Sequence, residues 1–327
     1  MKKFTACLLV LVLAVSTVFA NGNGESSGSD WVKKVDIVVP AKAGGGTDLM
    51  ARAIFQNVAK QAGNNIGIIN NETGNAVVAM EEVRNADKDG SKILFYNGGM
   101  LTRIAAGYYN HSIDEFTVLG VGHGPEPGYA LLVAGDSGMS TIDDVIAKAK
   151  EKNGSMLFGC NVGGTTQLMG AQLAEALGVE FKYVASGADT NTLTELVGHS
   201  IDICYANINQ ARQYVESGKA IAIGVLPQSD DVLTSPLLPD VPSMQELGYD
   251  LKFIVFSLIM GPAGMDEGLA KQIYEYLTVA LADEEVNNLL TPAGLATALY
   301  GFEEGREILA EETEKYIEIF ERYGLKK

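Results

Sequence analysis

The chain has 327 residues, of which 47% are hydrophobic and 20% charged. That is a globular composition with room for about two domains and a sizeable core. The net charge of −17 argues against nucleic acid and anionic membrane surfaces as partners, although local amide groups can still hold an anion inside an acidic protein.

Taken in chain order, the first feature is an export signal. Lys2 and Lys3 form its charged region, Phe4 to Phe19 its apolar core, and Val18-Phe19-Ala20 supplies small residues at −3 and −1 before Asn21. Residues 1–20 are therefore predicted to be cleaved, and residues 21–30, rich in Gly, Asn and Ser, to form a flexible tether. No cysteine stands at the cleavage site, so no lipid anchor is predicted, and nothing later is apolar enough to span a bilayer. After cleavage Cys160 and Cys204 remain, and an oxidising compartment permits a bridge between them. The three histidines (His111, His123, His199) are scattered without ligand spacing, so no metal site is predicted.

Val35 to Val39 is a β-branched run of strand length that stops at Pro40. Gly44-Gly45-Gly46 follows, then Thr47 and Asp48 in helix N-cap chemistry, then an apolar helical pattern from Leu49. A strand, a Gly-rich loop and a helix start bring backbone close to a ligand and aim unpaired amides at it, which suits an anion. A capped βα turn that holds nothing has the same appearance.

Ile66 to Asn70 reads as a strand, Ala76 to Asn85 as a helix, and Ile93 to Tyr96 as a strand leaving through Asn97-Gly98-Gly99. Met100 to Ala106 is helical and Phe116 to Gly122 a strand. Gly124-Pro125-Glu126-Pro127-Gly128 is hinge-like, and the chain is predicted to cross there into a second lobe. Tyr129 to Ala134 is a strand, and Ser140-Thr141 caps a helix that runs to Lys152. Met156 to Cys160 is a strand leaving through Gly163-Gly164-Thr165-Thr166, with a helix from Leu168 to Leu177 closed by Gly178. This repeats the opening unit and predicts two helix N-termini across one cleft.

Further strands are predicted at Phe181 to Val184, Ile201 to Tyr205 and Ala220 to Val225, with helices at Leu193 to Val197 and Gln210 to Ser217. Met244 to Gly248 reads as one or two helical turns, and Lys252 to Met260 as a strand returning to the first lobe, broken by Gly261-Pro262-Ala263-Gly264. Glu267 to Ala282 and Phe302 to Tyr323 are closing amphipathic helices. The alternation predicts an α/β class with mixed, mainly parallel sheets.

Several of these pieces, in this order, resemble one family. They are Ile37-Val38-Val39-Pro40 with Gly44-Gly45-Gly46-Thr47-Asp48 and Ala51-Arg52; Asp89-Gly90 before Ile93; Gly163-Gly164-Thr165-Thr166-Gln167-Leu168; Gly198-His199-Ser200-Ile201-Asp202 leading to Asn207; Leu238-Pro239-Asp240-Val241-Pro242-Ser243; and Gly261-Pro262-Ala263-Gly264. The chain resembles the extracytoplasmic solute-binding receptors of tripartite tricarboxylate transporters, the Bug receptors, over nearly all of residues 31–325. The resemblance implies a two-lobed, flytrap-like periplasmic binding protein. Lobe 1 would comprise 31–128 and 252–327, and lobe 2 would comprise 129–251. It implies a monomer that is not an enzyme, needs no cofactor, binds a small carboxylate and delivers it to membrane transporter subunits.

Carried over residue by residue, the ligand positions are Gly44, Gly45, Gly46, Thr47 and Asp48 in the first loop and Gly163, Gly164, Thr165 and Thr166 in the second. Asn97 and Asn207 are polar strand exits of the same kind. Three departures bear on the ligand's far end. Lys42 adds a cation before the first glycines, either for the ligand or for solvent. Asp189 stands where relatives carry Lys-Gly-Gly, either to receive a ligand ammonium or to cap the helix at Thr192. Phe256 replaces a family tryptophan. Two other functions share these features: a ligand-binding sensory partner of a membrane signalling protein, and a secreted enzyme on the first βα loop. The enzyme lacks its motif, since Leu49 stands at the third glycine of GxGxxG.

Overall fold

A computed structural model describes residues 31–124, 127–187 and 189–327; the predicted export signal and the whole of the tether lie outside the described residues. The first sheet takes β1 (Lys34–Val39), β2 (Asn65–Asn70), β3 (Lys92–Asn97), β4 (Phe116–His123), β10 (Phe256–Pro262) and β11 (Ala298–Leu299), in the order β11-β4-β10-β3-β1-β2. The second takes β5 (Tyr129–Ala134), β6 (Leu157–Cys160), β7 (Lys182–Ala185), β8 (Ile203–Asn207) and β9 (Ala220–Leu226), in the order β7-β6-β8-β5-β9.

The sheets are mixed, as predicted, but parallel pairing does not predominate. Four strand pairs are parallel (β1–β2, β1–β3, β6–β7, β6–β8) and five antiparallel (β10–β3, β10–β4, β11–β4, β5–β8, β5–β9). The reason is the connection between the sheets. A strand that follows a passage from the other sheet, as β5 and β10 do, has no crossover helix to reverse it and inserts antiparallel.

Strand alternation builds the layers. In β1, Ile37 and Val39 face one side with Phe95 of β3, packing on α1 (Gly46–Ala62) and α8 (Glu267–Ala282) through Phe55, Ile273 and Leu277. Val38, Leu94 and Tyr96 face the other side, towards α2 (Val77–Arg84), α3 (Gly99–Ala105) and α10 (Phe302–Arg322). That second core is continuous with one face of the second sheet through Leu131, Val133, Phe158 and Tyr205. α10 reaches across it: Tyr316 stacks on Phe253 with ring centroids 6.1 Å apart, and Arg322 pairs with Glu175 of α5 (Thr165–Leu177) at 2.9 Å. The far face of the second sheet packs Ala130, Leu132 and Cys204 on α6 (Asp189–Val197) and α7 (Ile208–Glu216). Cys160 and Cys204 are both buried and free.

Several boundaries move for local reasons. α4 (Ile142–Lys152) starts as read, with Thr141 Oγ1 accepting from the Asp144 amide and Asp144 closing the capping box. α6 begins four residues before the predicted Leu193. Met244 to Gly248 is a chain of turns rather than helix. Lys252 to Val255 is crossing chain that joins neither sheet, and β10 runs through Gly261-Pro262 instead of breaking there. The sequence reading missed α9 (Glu284–Leu290), a 3-10 turn at Thr291–Ala293 and β11, all short elements within ordinary loop chemistry.

Gln228 joins the two passages between the sheets. Its Oε1 accepts from the Gly124 amide at 3.2 Å and the Val255 amide at 2.7 Å. Gln228→Leu strands both main-chain donors in a part-buried place, and the expected cost is about 2 kcal/mol of stability. Denaturant unfolding checks it, with Gln228→Glu, which retains the acceptor, losing less.

Candidate functional site

The loop after β1 is held from the inside. Gly44 takes φ +80, a left-handed backbone that favours glycine, and the Gly45 amide donates to Lys42 O at 3.0 Å. Gly45 is the N-cap of α1 without a side-chain cap bond, so Thr47 and Asp48 are first-turn residues rather than caps. Asp48 turns inward and is 1% exposed. Its Oδ2 accepts from Gly44 N at 2.7 Å and Arg52 Nε at 3.0 Å, and its Oδ1 accepts from Asn70 Nδ2 at 2.9 Å. Burial works against its ionisation, yet the bonds from Arg52, Gly44 and Asn70 together hold its carboxyl below the usual range. Gly46 and Thr47, whose amides have no partner within the helix, line a cavity of about 470 Å³.

β3 and β10 supply the floor of this cavity through Tyr96, Asn97, Phe256 and Ser257, and the facing wall comes from Asp189, Asn207, Asn209 and Gln210. Asn207 ends β8 and caps α7, its Oδ1 accepting from Asn209 N at 3.0 Å. Asp189 opens α6, and its Oδ2 accepts from Asn207 N at 3.0 Å. Burial raises the Asp189 carboxyl above its usual range. The adjacent Tyr129 hydroxyl is also raised, by burial first and then by the Asp189 charge. A segment after α9 completes the rim with Thr291 and Gly294 to Thr297, and Asn209 Nδ2 donates to Gly294 O at 3.4 Å across the mouth.

Of the residues named from sequence, Gly46, Thr47, Asn97, Asp189 and Asn207 come together on this cavity. Gly44, Gly45 and Asp48 stand behind it as the frame of the loop. Gly163, Gly164, Thr165 and Thr166 are not among its lining residues. Their loop is closed on itself: Asn161 N donates to Thr166 Oγ1 at 2.8 Å and Gly163 N to Gln167 Oε1 at 2.7 Å. Gly163, at φ +70, packs so closely on Tyr108 that a β-carbon there would overlap the ring. Lys42 is exposed and outside the lining. The sequence reading missed Ser257, Gln228, Asn209 and the 291–297 rim. Asn209 had a signal, two residues past the strand exit at Asn207; the rim had only Gly294 to mark it. No group of described residues has the side chains to hold a metal ion.

Two α/β sheets with a polar cavity at their junction are the arrangement of the two-lobed periplasmic-binding-protein fold. The chain belongs to the tripartite tricarboxylate transporter family receptors, whose family model matches residues 50–325. It is 27% identical over 290 residues to the UPF0065 protein in the TAR-I ttuE-ttuC' intergenic region of Agrobacterium vitis, covering 87% of this chain and 80% of that one. Its fold matches MatC from Rhodopseudomonas palustris with bound malate, with a TM-score of 0.72, 21% identity, and coverage of 88% of this chain and 99% of that one. It also matches an R. palustris protein with adipate, with a TM-score of 0.70, 19% identity, and coverage of 88% and 95%. Family members are solute-binding receptors, and among the described residues no helix is long and apolar enough to cross a membrane.

Proposed function

We propose that this chain is an exported receptor that captures a small organic acid in the cavity between its two sheets and hands it to the membrane subunits of a tripartite transporter. One observation carries the reading. The first turn of the long helix α1 opens, through Gly46 and Thr47, into a part-enclosed cavity of about 470 Å³ whose other donors are neutral amides and hydroxyls. A carboxylate placed there exchanges water for oriented N–H and O–H groups and the positive end of a helix. Residues 31–128 with 252–327 would form one lobe and 129–251 the other. Closure would follow from the ligand's preference for the closed arrangement, and the closed surface is what the transporter would read. Malate and adipate in the two structural neighbours support a carboxylate as the class of ligand. No constellation for catalysis is needed, and the receptor would act as a monomer in the periplasm.

Thermal melts of the exported chain test this against mono-, di- and tricarboxylates, amino acids and sugars. At 100 times Kd the right ligand adds about 2.7 kcal/mol, a shift of several degrees. Silence across all carboxylates, repeated on protein refolded from denaturant to strip any resident ligand, overturns the reading.

A further inference from the structure

Resting on that receptor reading, we infer that the ligand is an amino-carboxylate, with its carboxylate at the α1 N-terminus and a protonated amine received by Asp189. The cavity's charge inventory is the ground for this. Among the described residues that line it, Asp189 is the one charged side chain, with no lysine, arginine or histidine beside it. No ion pair is formed by Asp189 among the described residues, and the hydrogen bond it accepts comes from a neutral donor, the Asn207 amide. The neighbouring Tyr129 and Cys204 are kept neutral by burial and by the Asp189 charge.

The placement also separates a binding role from a capping one. Asp189 is the first residue of α6, its Oδ2 accepts from Asn207 N at the end of β8, at the cavity wall, and among the described residues no α6 amide donates to it. A carboxylate held in a half-buried site by a single amide is incompletely compensated. A ligand ammonium supplies the missing charge and further hydrogen bonds. A plain dicarboxylate brings its second negative charge into a cavity with no cation to meet it, and like charges repel strongly where water is scarce. The two ends of the site therefore select opposite charges: helix amides and the Thr47 hydroxyl at one wall, Asp189 at the other.

The experiment is calorimetric titration of the full exported chain with matched pairs that differ only in the amine: aspartate and succinate, glutamate and glutarate, alanine and propionate, 4-aminobutyrate and butyrate. For at least one pair, the amine-bearing member is expected to bind about tenfold tighter or more. In Asp189→Asn, which retains the acceptor for the Asn207 amide, the ratio is expected to fall to within about threefold. A desamino partner that binds as well or better overturns the inference, as does a ratio that survives Asp189→Asn. Binding of malate or adipate with no response to any amine-bearing member overturns it while leaving the receptor reading intact. No binding by any carboxylate overturns the receptor reading itself, and the inference with it.

Discussion

Asp48→Ala is expected to lower stability by about 3 kcal/mol and to weaken ligand binding at least about tenfold, although Asp48 itself lies outside the cavity. The carboxylate ties Gly44, Arg52 and Asn70 together at distances of 2.7 to 3.0 Å. Removing it leaves the Gly44 amide without its acceptor, leaves Asn70 Nδ2 with Ala41 O alone at 3.0 Å, and leaves Arg52 with Asn70 Oδ1 alone at 3.1 Å. Arg52 is partly in solvent, which keeps the cost at the lower end for a broken buried pair. Binding suffers because the amides of Gly46 and Thr47 must be held in place before the ligand arrives.

The same pair of proteins is expected to show a defined pH dependence. The Asp48 carboxyl is held below its usual range. Its stabilisation is therefore complete above the unfolded-state value of about 3.9 and is lost as the pH falls through the lower folded value. The stability gap between wild type and Asp48→Ala should be constant from pH 6 to 8 and close below about pH 4. A gap that widened on acidification would contradict the assignment of the bonds. Urea unfolding at each pH measures it.

Arg103→Met is expected to cost about 3 kcal/mol. Arg103 is 7% exposed, and among the described residues its guanidinium has no carboxylate partner. It donates instead to oxygens: Asn75 O at 2.7 Å, Asn75 Oδ1 at 2.6 Å and Gly99 O at 2.8 Å, while lying 5.7 Å from the centre of the Tyr96 ring. These bonds grip a segment whose backbone is costly. Gly74, Asn75 and Ala76 are successive left-handed residues at φ 64, 56 and 76, and a side chain in that region carries a penalty that surrounding contacts must offset. Met fills part of the volume but offers no donors. The segment should therefore relax, with faster amide exchange at residues 74–78 as the local signature beside the global loss. Unchanged exchange there would place the cost elsewhere.

Much of the local structure was legible in the sequence because the signals are short-range. Thr141 with Asp144 announces the start of α4, Gly178 closes α5, and the β-branched run of β1 is hydrophobic enough to be buried on both faces. Misread stretches were those in which chain neighbours compete with distant partners. Lys252 to Val255 is apolar enough for a strand, yet it spans the gap between two sheets, where the Val255 amide is taken by Gln228 rather than by a ladder. Met244 to Gly248 has helical composition but is drawn into turns by the pairing of Val225 with Ser243.

The candidate site divides in the same way. Glycines, Thr47, Asn97, Asp189 and Asn207 could be singled out because strand exits and helix starts carry unpaired donors wherever they occur. The sequence by itself determined the α/β class, the exit loops, the family and the acidic balance of the chain, since each depends on residue type and spacing along a few turns. Only the tertiary structure decided which exits share a cavity. It turned Asp48 inward to brace its loop, packed Gly163 against Tyr108, brought in the 291–297 rim, and left Asp189 as the single charge among the described lining residues. Those choices depend on how two sheets and a long C-terminal helix pack against one another, a geometry fixed by contacts between residues hundreds of positions apart.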